Sequence, residues 1–193
     1  TIDLMKKHGV GLDTTIAAME RLNIQRDRVT PIGDALHLEN MPSMFQRNRR
    51  RTFLWVPDPR TDAEHFKARD KLVEMVGLYY REGIPLWPGT DDEVAYTLHR
   101  ELQLYVEAGI PVNETLEIAT LRSIRELGLD HDLGTIEAGK LADFILIPGN
   151  PLEDITEIRK VNLVIKDGIM YFPSEIYKAL NVKPFSASPT FLQ

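Results

Sequence analysis

The sequence has no cysteine among its 193 residues, which excludes disulfides, thiolate nucleophiles and cysteine-held zinc together. Any metal has to be held by histidine, aspartate or glutamate. The same absence sits slightly better with a periplasmic or secreted protein than with a cytoplasmic one. Nor is there an apolar run near the roughly 20 residues a membrane-spanning helix needs, or a signal-like start. Positive charge is in deficit: 23 Lys and Arg against 29 Asp and Glu give a net −6, which argues against general nucleic-acid binding, where basic groups neutralise phosphates. Histidine is scarce. His8, His37, His65, His99 and His131 offer neither a His-x-His pair nor two histidines at helical i, i+4 spacing. A starting methionine is also missing, and Thr1 to His8 reads as a helix already under way, so a longer native chain is expected.

The residues that are present are organised around Ile84-Pro85-Leu86-Trp87-Pro88-Gly89-Thr90-Asp91. A short apolar run stops in Pro-Gly-Thr-Asp, and an amphipathic helix over Glu93 to Ala108 follows at once. That pattern predicts a buried strand with a carboxylate at its tip. In barrels of alternating strands and helices, catalytic groups come from such C-terminal strand ends. Upstream, Val10 to Ile16 alternates as a strand does, and its polar end Asp13-Thr14-Thr15 reads either as a helix N-cap or, if the two strands run parallel, as a neighbour of Asp91.

Thr61-Asp62 starts a helix to about Tyr80, with Phe66, Val73, Val76 and Tyr80 on one stripe, and Asn113 caps another over Glu114 to Leu127. Helices alternating with short buried strands predict an α/β layer with parallel strands, too few for a closed barrel. Between Thr30 and Pro59 no periodicity is visible, and five prolines and glycines break the stretch, the mark of a long irregular connection such as a lid. It carries Arg47-Asn48-Arg49-Arg50-Arg51 followed by Phe53-Leu54-Trp55-Val56, which reads either as a solvated charged face or as a grip on a carboxylate or phosphate. Beyond Leu129 the pattern turns to β. Ala142 to Ile147 and Val161 to Lys166 are strands, and Asp167-Gly168 makes a hairpin to Ile169-Met170-Tyr171-Phe172. The last twenty residues read as an arm lying on a surface. The divisions expected are 1–128, 129–172 and 173–193.

Three ordered stretches resemble the C-terminal part of the metal-dependent amidohydrolases, in the branch of imidazolonepropionases and of prolidase-like and arginine carboxypeptidase-like enzymes. They are Pro88-Gly89-Thr90-Asp91, then Leu98-His99-Arg100-Glu101-Leu102 with Val106 to Gly109, then Leu133 to Asp143 continuing to Val164-Ile165-Lys166-Asp167-Gly168. The resemblance covers roughly residues 80 to 172. It implies the C-terminal part of a (β/α)8 barrel plus a small β-sandwich portion, with Val10 to Ile16 near strand seven and Ile84 to Asp91 as strand eight.

It further implies that Asp91 is both metal ligand and catalytic base, in a site with one or two divalent metals, zinc expected. The histidine ligands of that family have no counterpart here, so the resemblance implies that the N-terminal half of the same enzyme, or a partner chain, completes the site. The activity implied is hydrolysis of a C–N bond in an amide, a dipeptide-like or a cyclic amide substrate. The exposed parallel edge of a half-barrel is a liability, so an oligomer is expected rather than a lone monomer. Against it stands a non-catalytic fragment or accessory subunit that binds a partner chain. Asp92 and Glu93 read as first-turn acids at a helix N-terminus, and His99 and Glu101 as helix residues supporting the site from behind.

Overall fold

The computed structural model describes residues 1–51, 58–92 and 94–190. Its centre is a pair of parallel two-residue strands, β1 (Leu12–Asp13) and β2 (Leu86–Trp87), in the register Leu12 opposite Leu86 and Asp13 opposite Trp87. The backbone N–H groups of Leu12 and Thr14 donate to the carbonyls of Pro85 and Trp87 at 2.8 and 3.2 Å. Both strands are shorter than their apolar runs suggest. Pro85 and Pro88 flank β2 and have no N–H to give to a ladder. β1 is preceded by α1 (Ile2–His8) and followed by α2 (Ile16–Ile24). Among the described residues no helix is long and apolar enough to cross a membrane.

The helices pack on this pair. α4 (Pro59–Arg81) leads into β2, and α5 (Tyr96–Glu107) follows it. The core joins Ile16 and Ala17 of α2, Val73 and Val76 of α4, Leu86 of β2, and Leu104 and Tyr105 of α5 with Ile110 and Ile118. Of the stripe expected on α4, Val73 and Val76 are buried while Phe66 remains 39% exposed. The helix expected over Glu114 to Leu127 is present as α6 (Val112–Glu117), a wide π turn (Ile118–Arg122) and α7 (Ser123–Glu126). Hydroxyls help open that turn: Thr120 donates to the Leu116 carbonyl and Ser123 to that of Ile118, at 2.7 and 2.6 Å.

Over residues 30–51 the irregular stretch is more ordered than its sequence predicts. It holds single 3-10 turns at Ile32–Asp34 and Leu38–Asn40 and the helix α3 (Ser43–Arg49). Each is too short to be stable alone and exists through what it packs against. Phe53 to Val56, beside the basic run, lie outside the described residues.

The C-terminal β region is an antiparallel sheet of β3 (Phe144–Leu146), β4 (Leu163–Lys166) and β5 (Ile169–Tyr171), with β4 in the middle. Its hairpin turns on Asp167 and Gly168, both at positive φ (51° and 73°), the two-residue geometry that matches strand twist. A 3-10 segment, Ile155–Lys160, places Ile155 and Ile158 against Leu102 of α5. The tail departs from the expected arm in its first part, where Pro173–Ala179 forms α8 with the proline in the first turn.

Two buried carboxylates tie the layers together. Glu20 of α2, 3% exposed, accepts from Arg69 of α4 (Nε, 2.9 Å) and from Arg100 of α5 (Nε, 2.8 Å). Glu101, fully buried on α5, accepts the N–H of Ile16 at 3.2 Å and of Ala17 at 2.7 Å, as well as the Thr14 hydroxyl. The N-terminus of α2 is therefore capped by a side chain 85 residues away, and none of Asp13, Thr14 or Thr15 caps it. Burial pushes the Glu101 carboxyl pKa up; the bonds from Thr14, Ala17 and Ile16 oppose this, and the charge of Asp13 adds to it.

Glu101→Gln sets an amide NH2 against the backbone N–H of Ile16 or of Ala17, whichever way the amide turns. A loss of about 1–3 kcal/mol is expected for a buried group left unsatisfied. Thermal unfolding should show it as a fall of roughly 2–4 °C for each kcal/mol in a chain of this size.

Candidate functional site

The tips of β1 and β2 end side by side. Two non-glycine residues there have left-handed backbone, Thr15 at φ 47° and Asp91 at φ 42°. For an L residue this region costs about 1–2 kcal/mol, and aspartate tolerates it better than most. The approach is close enough to dictate Gly89: a Cβ there would overlap the Asp13 carboxylate and crowd the Thr15 hydroxyl. Asp13 is itself held by Thr15, whose hydroxyl donates to Oδ1 at 2.6 Å. The Pro-Gly-Thr-Asp sequence thus serves a steric need at the junction of two strands.

Asp91 lies on the wall of an open cleft of about 690 Å3, with Arg21, Phe45, Asn48, Arg49, Thr90 and Asp92. Its carboxylate is exposed and makes no hydrogen bond or ion pair with any described residue. It does not cap α5, which begins at Tyr96 without a side-chain cap. Asp92 also departs from a first-turn role. Its side chain is 7% exposed and accepts from Arg49 (Nη1, 2.6 Å) and from the Thr97 hydroxyl (2.8 Å), with Arg21 Nη1 at 3.4 Å. Glu93 lies outside the described residues.

Arg49 is the centre of this charge cluster. It is 5% exposed at the end of α3 and bridges two acids. Nε and Nη2 donate to Oδ2 and Oδ1 of Asp34, both at 2.7 Å, while Nη1 reaches Asp92. Its guanidinium also lies over the Phe45 ring, 5.6 Å from the centroid. Burial works to raise the Asp34 carboxyl pKa, but the paired hydrogen bonds and charge of Arg49, with His37 close by, outweigh it and bring it to about 2. Asp92 is lowered for the same reasons, with Arg49 and Thr97 overcoming burial. The positive charges of Arg49 and Arg21 are met by Asp34 and Asp92, and no described residue is paired with the charge of Asp91.

Of the basic run, Arg49 is therefore a buried bridge within the protein, Asn48 faces the cleft, and Arg50 pairs with Glu39. Sequence reasoning missed Arg21 and Phe45 as cleft residues and Asp34 as the buried partner of Arg49 behind them. The one signal was an arginine cluster in a segment expected to act as a lid. His99 sits on α5 away from this cleft, edge-on to Tyr96 at 5.9 Å, and its Nδ1 is buried without a hydrogen-bond partner. Burial, aided by the charges of Arg159 and His37, pulls its pKa down to about 4. It supports the layer behind the site.

The donors for a metal ion are incomplete among the described residues. Among the described residues no three His, Asp or Glu side chains stand together as a cation site. Asp91 fits as a single oxygen donor, and the set does not hold an ion by itself.

Residues 1–170 match the profile of the amidohydrolase family. A 5-methylthioadenosine/S-adenosylhomocysteine deaminase of Moorella thermoacetica is 50% identical over 38 residues, which are 20% of this chain and 9% of that protein. An adenine deaminase of Clostridium botulinum (strain Loch Maree / Type A3) is 33% identical over 91 residues, 42% of this chain and 15% of the relative. Among solved structures, a Xaa-Pro dipeptidase with methionine in its active site superposes with a TM-score of 0.61 at 26% identity, over 89% of this chain and 36% of that one. A prolidase complexed with N-methylphosphonate-L-proline gives 0.57 at 22% identity, a likeness of fold, over 89% and 37%. The chain thus spans about a third of these solved enzymes, and its matches cover a smaller share still of the curated relatives.

The Arg49 bridge has a pH signature. Because the Asp34 carboxyl is depressed to about 2 from an unfolded value near 3.9, its contribution is present above about pH 4 and is lost as pH falls through about 2. Acid unfolding followed by circular dichroism should show this loss, on the order of 2 kcal/mol. Asp34→Asn should flatten the stability curve between about pH 4 and pH 2.

Proposed function

The chain belongs to the amidohydrolase family, a family of hydrolytic enzymes, and from that premise we propose that it supplies one carboxylate, Asp91, to an active site that hydrolyses a C–N bond. The observation that carries this reading is the free, exposed carboxylate at a strand tip, on the wall of a cleft whose other charges are already paired. A carboxylate so placed accepts the proton of an attacking water as the C–O bond forms. It then returns the proton to the departing nitrogen as the C–N bond breaks. Binding and orientation fall to the cleft wall, where the Phe45 ring and the Asn48 amide stand beside Asp91.

In this reading the fold is the C-terminal part of a (β/α)8 barrel with a small β-sandwich portion. A divalent metal, zinc expected, is held by Asp91 together with ligands that lie outside this chain. The substrate class is an amide, with dipeptides and acyl amino acids the first to screen in view of the Xaa-Pro dipeptidase likeness. Support for completion from elsewhere comes from β2, whose far edge pairs with no described strand. Beside that edge run two grooves, one lined by Leu86, Trp87, Ile118 and Arg122, the other by Trp87, Pro88, Leu98 and Ala119. The same edge favours the second reading, a non-catalytic fragment or subunit that pairs with a partner chain.

Asp91→Asn is the decisive variant, because asparagine also tolerates left-handed backbone while losing the charge. In the assembled protein, turnover should fall by about 100-fold or more with little change in unfolding temperature; near-normal turnover would remove Asp91 from the chemistry. Native mass and metal analysis separate the two readings. An assembly larger than this chain with about one or two metal ions per copy supports the hydrolase. A metal-free species of 22.0 kDa supports the partner-binding reading.

A further inference from the structure

Asp91 makes no bond of its own with the described residues, so its place depends on the residue beside it. Asp92 is fixed by Arg49, and Arg49 by Asp34. From Asp34 the contacts continue away from the cleft. His37, 1% exposed, brings Nε2 to 3.3 Å from Asp34 Oδ1, out of hydrogen-bond alignment, and stacks on Tyr96 with centroids 5.0 Å apart and planes 24° apart. Tyr96 in turn meets two rings of the C-terminal tail, Phe185 at 5.0 Å and Tyr177 at 6.2 Å. A second tie runs alongside. The Lys183 N–H donates to the Asn40 carbonyl at 2.8 Å, and the Asn40 side-chain amide donates to the Lys183 carbonyl at 2.9 Å.

These contacts make one continuous path from the tail, through the 3-10 turns of residues 32–40, to the strand tip. No local preference holds those turns in place. Short 3-10 turns hold little structure by themselves, and the tail covers them from one side while Arg49 anchors them from the other. A guanidinium suits the anchor because its planar fork bonds two carboxylates at once, which an ammonium does not do with the same geometry.

We propose that Arg49 is the positioning residue of Asp91, acting through Asp92, and that the C-terminal tail, by packing Phe185 and Lys183 onto Tyr96 and Asn40, holds Arg49 in that position. The inference rests on the reading of Asp91 as the reacting carboxylate for its catalytic consequence. Its structural half stands apart from that reading. The position of the cleft wall beside Asp91 is then a property of the tail as well as of the wall.

Two variants of the full chain test it. In Phe185→Ala, hydrogen exchange read by mass spectrometry should speed up about tenfold or more in residues 32–50 and at 90–92, while α4 amides remain protected. Acceleration confined to residues 177–188 would overturn the link between tail and wall. In Arg49→Lys, assayed below its unfolding transition in the assembled enzyme on a dipeptide or acyl amino acid that it hydrolyses, kcat should fall about tenfold or more with KM nearly unchanged, a loss beyond what its lower unfolding temperature accounts for. Unchanged kcat, or a loss that tracks unfolding temperature alone, would overturn the positioning role. Should Asp91→Asn leave turnover intact, the functional reading fails by itself, and the exchange experiment still decides whether tail and wall are coupled.

Discussion

Everything at the strand tips depends on a carboxylate that no solvent reaches. Glu101 projects from α5 into the first turn of α2 and accepts two backbone N–H groups and a hydroxyl. Orphan donors at a helix start have to be met by something, and here the partner belongs to a different helix. The consequence is geometric. α2 cannot shift along its axis without breaking the bond to α5, so the turn from β1 into α2 is set by tertiary structure. Thr14 is locked in the same network, within 2.8 Å of the Tyr105 hydroxyl. Asp13, Thr15 and Gly89 then fall into contact because the two strand ends have nowhere else to go.

Around that anchor the charges divide into two groups with different tasks. The Glu20 group, with Arg69 and Arg100, clamps α2, α4 and α5 together. The Arg49 group closes the wall of the cleft. Buried ion pairs are weak evidence of stability, because desolvation offsets much of their attraction, but removing one member is strongly unfavourable. Such pairs are better understood as fixing one arrangement among several. The Arg49 bridge fixes α3 against the strand tip, which a purely apolar contact would do with less angular definition.

The sequence reading went furthest where the signal is local. Asp91 at the end of an apolar run, and the Asp167-Gly168 hairpin, depend on residues within a few positions of one another, and the geometry of both could be anticipated. Parallel pairing of β1 with β2 was legible only as a condition, since register between segments 74 residues apart in the pairing Leu12 to Leu86 is set by the layers that pack on them. Glu101 could be read as a residue supporting the site from behind, but its cap on α2 was not legible, because nothing local pairs a mid-helix glutamate with the first turn of a helix 85 residues away. Arg49 was hidden for a similar reason. Within Arg47 to Arg51 nothing distinguishes the one guanidinium that turns inward from those that stay wet. The short turns of residues 32–40 and α8 owe their existence to the surfaces they lie on, which no window of sequence contains.

The left-handed backbone at Asp91 carries a consequence for selection. At φ 42° glycine would relieve the strain that a Cβ brings, yet glycine has no carboxylate. Heat resistance and retention of the side chain therefore pull in opposite directions at this one position. A population of variants sorted only for survival at high temperature should drift toward glycine there, whereas one sorted for turnover should keep the acid and tolerate the lower melting point.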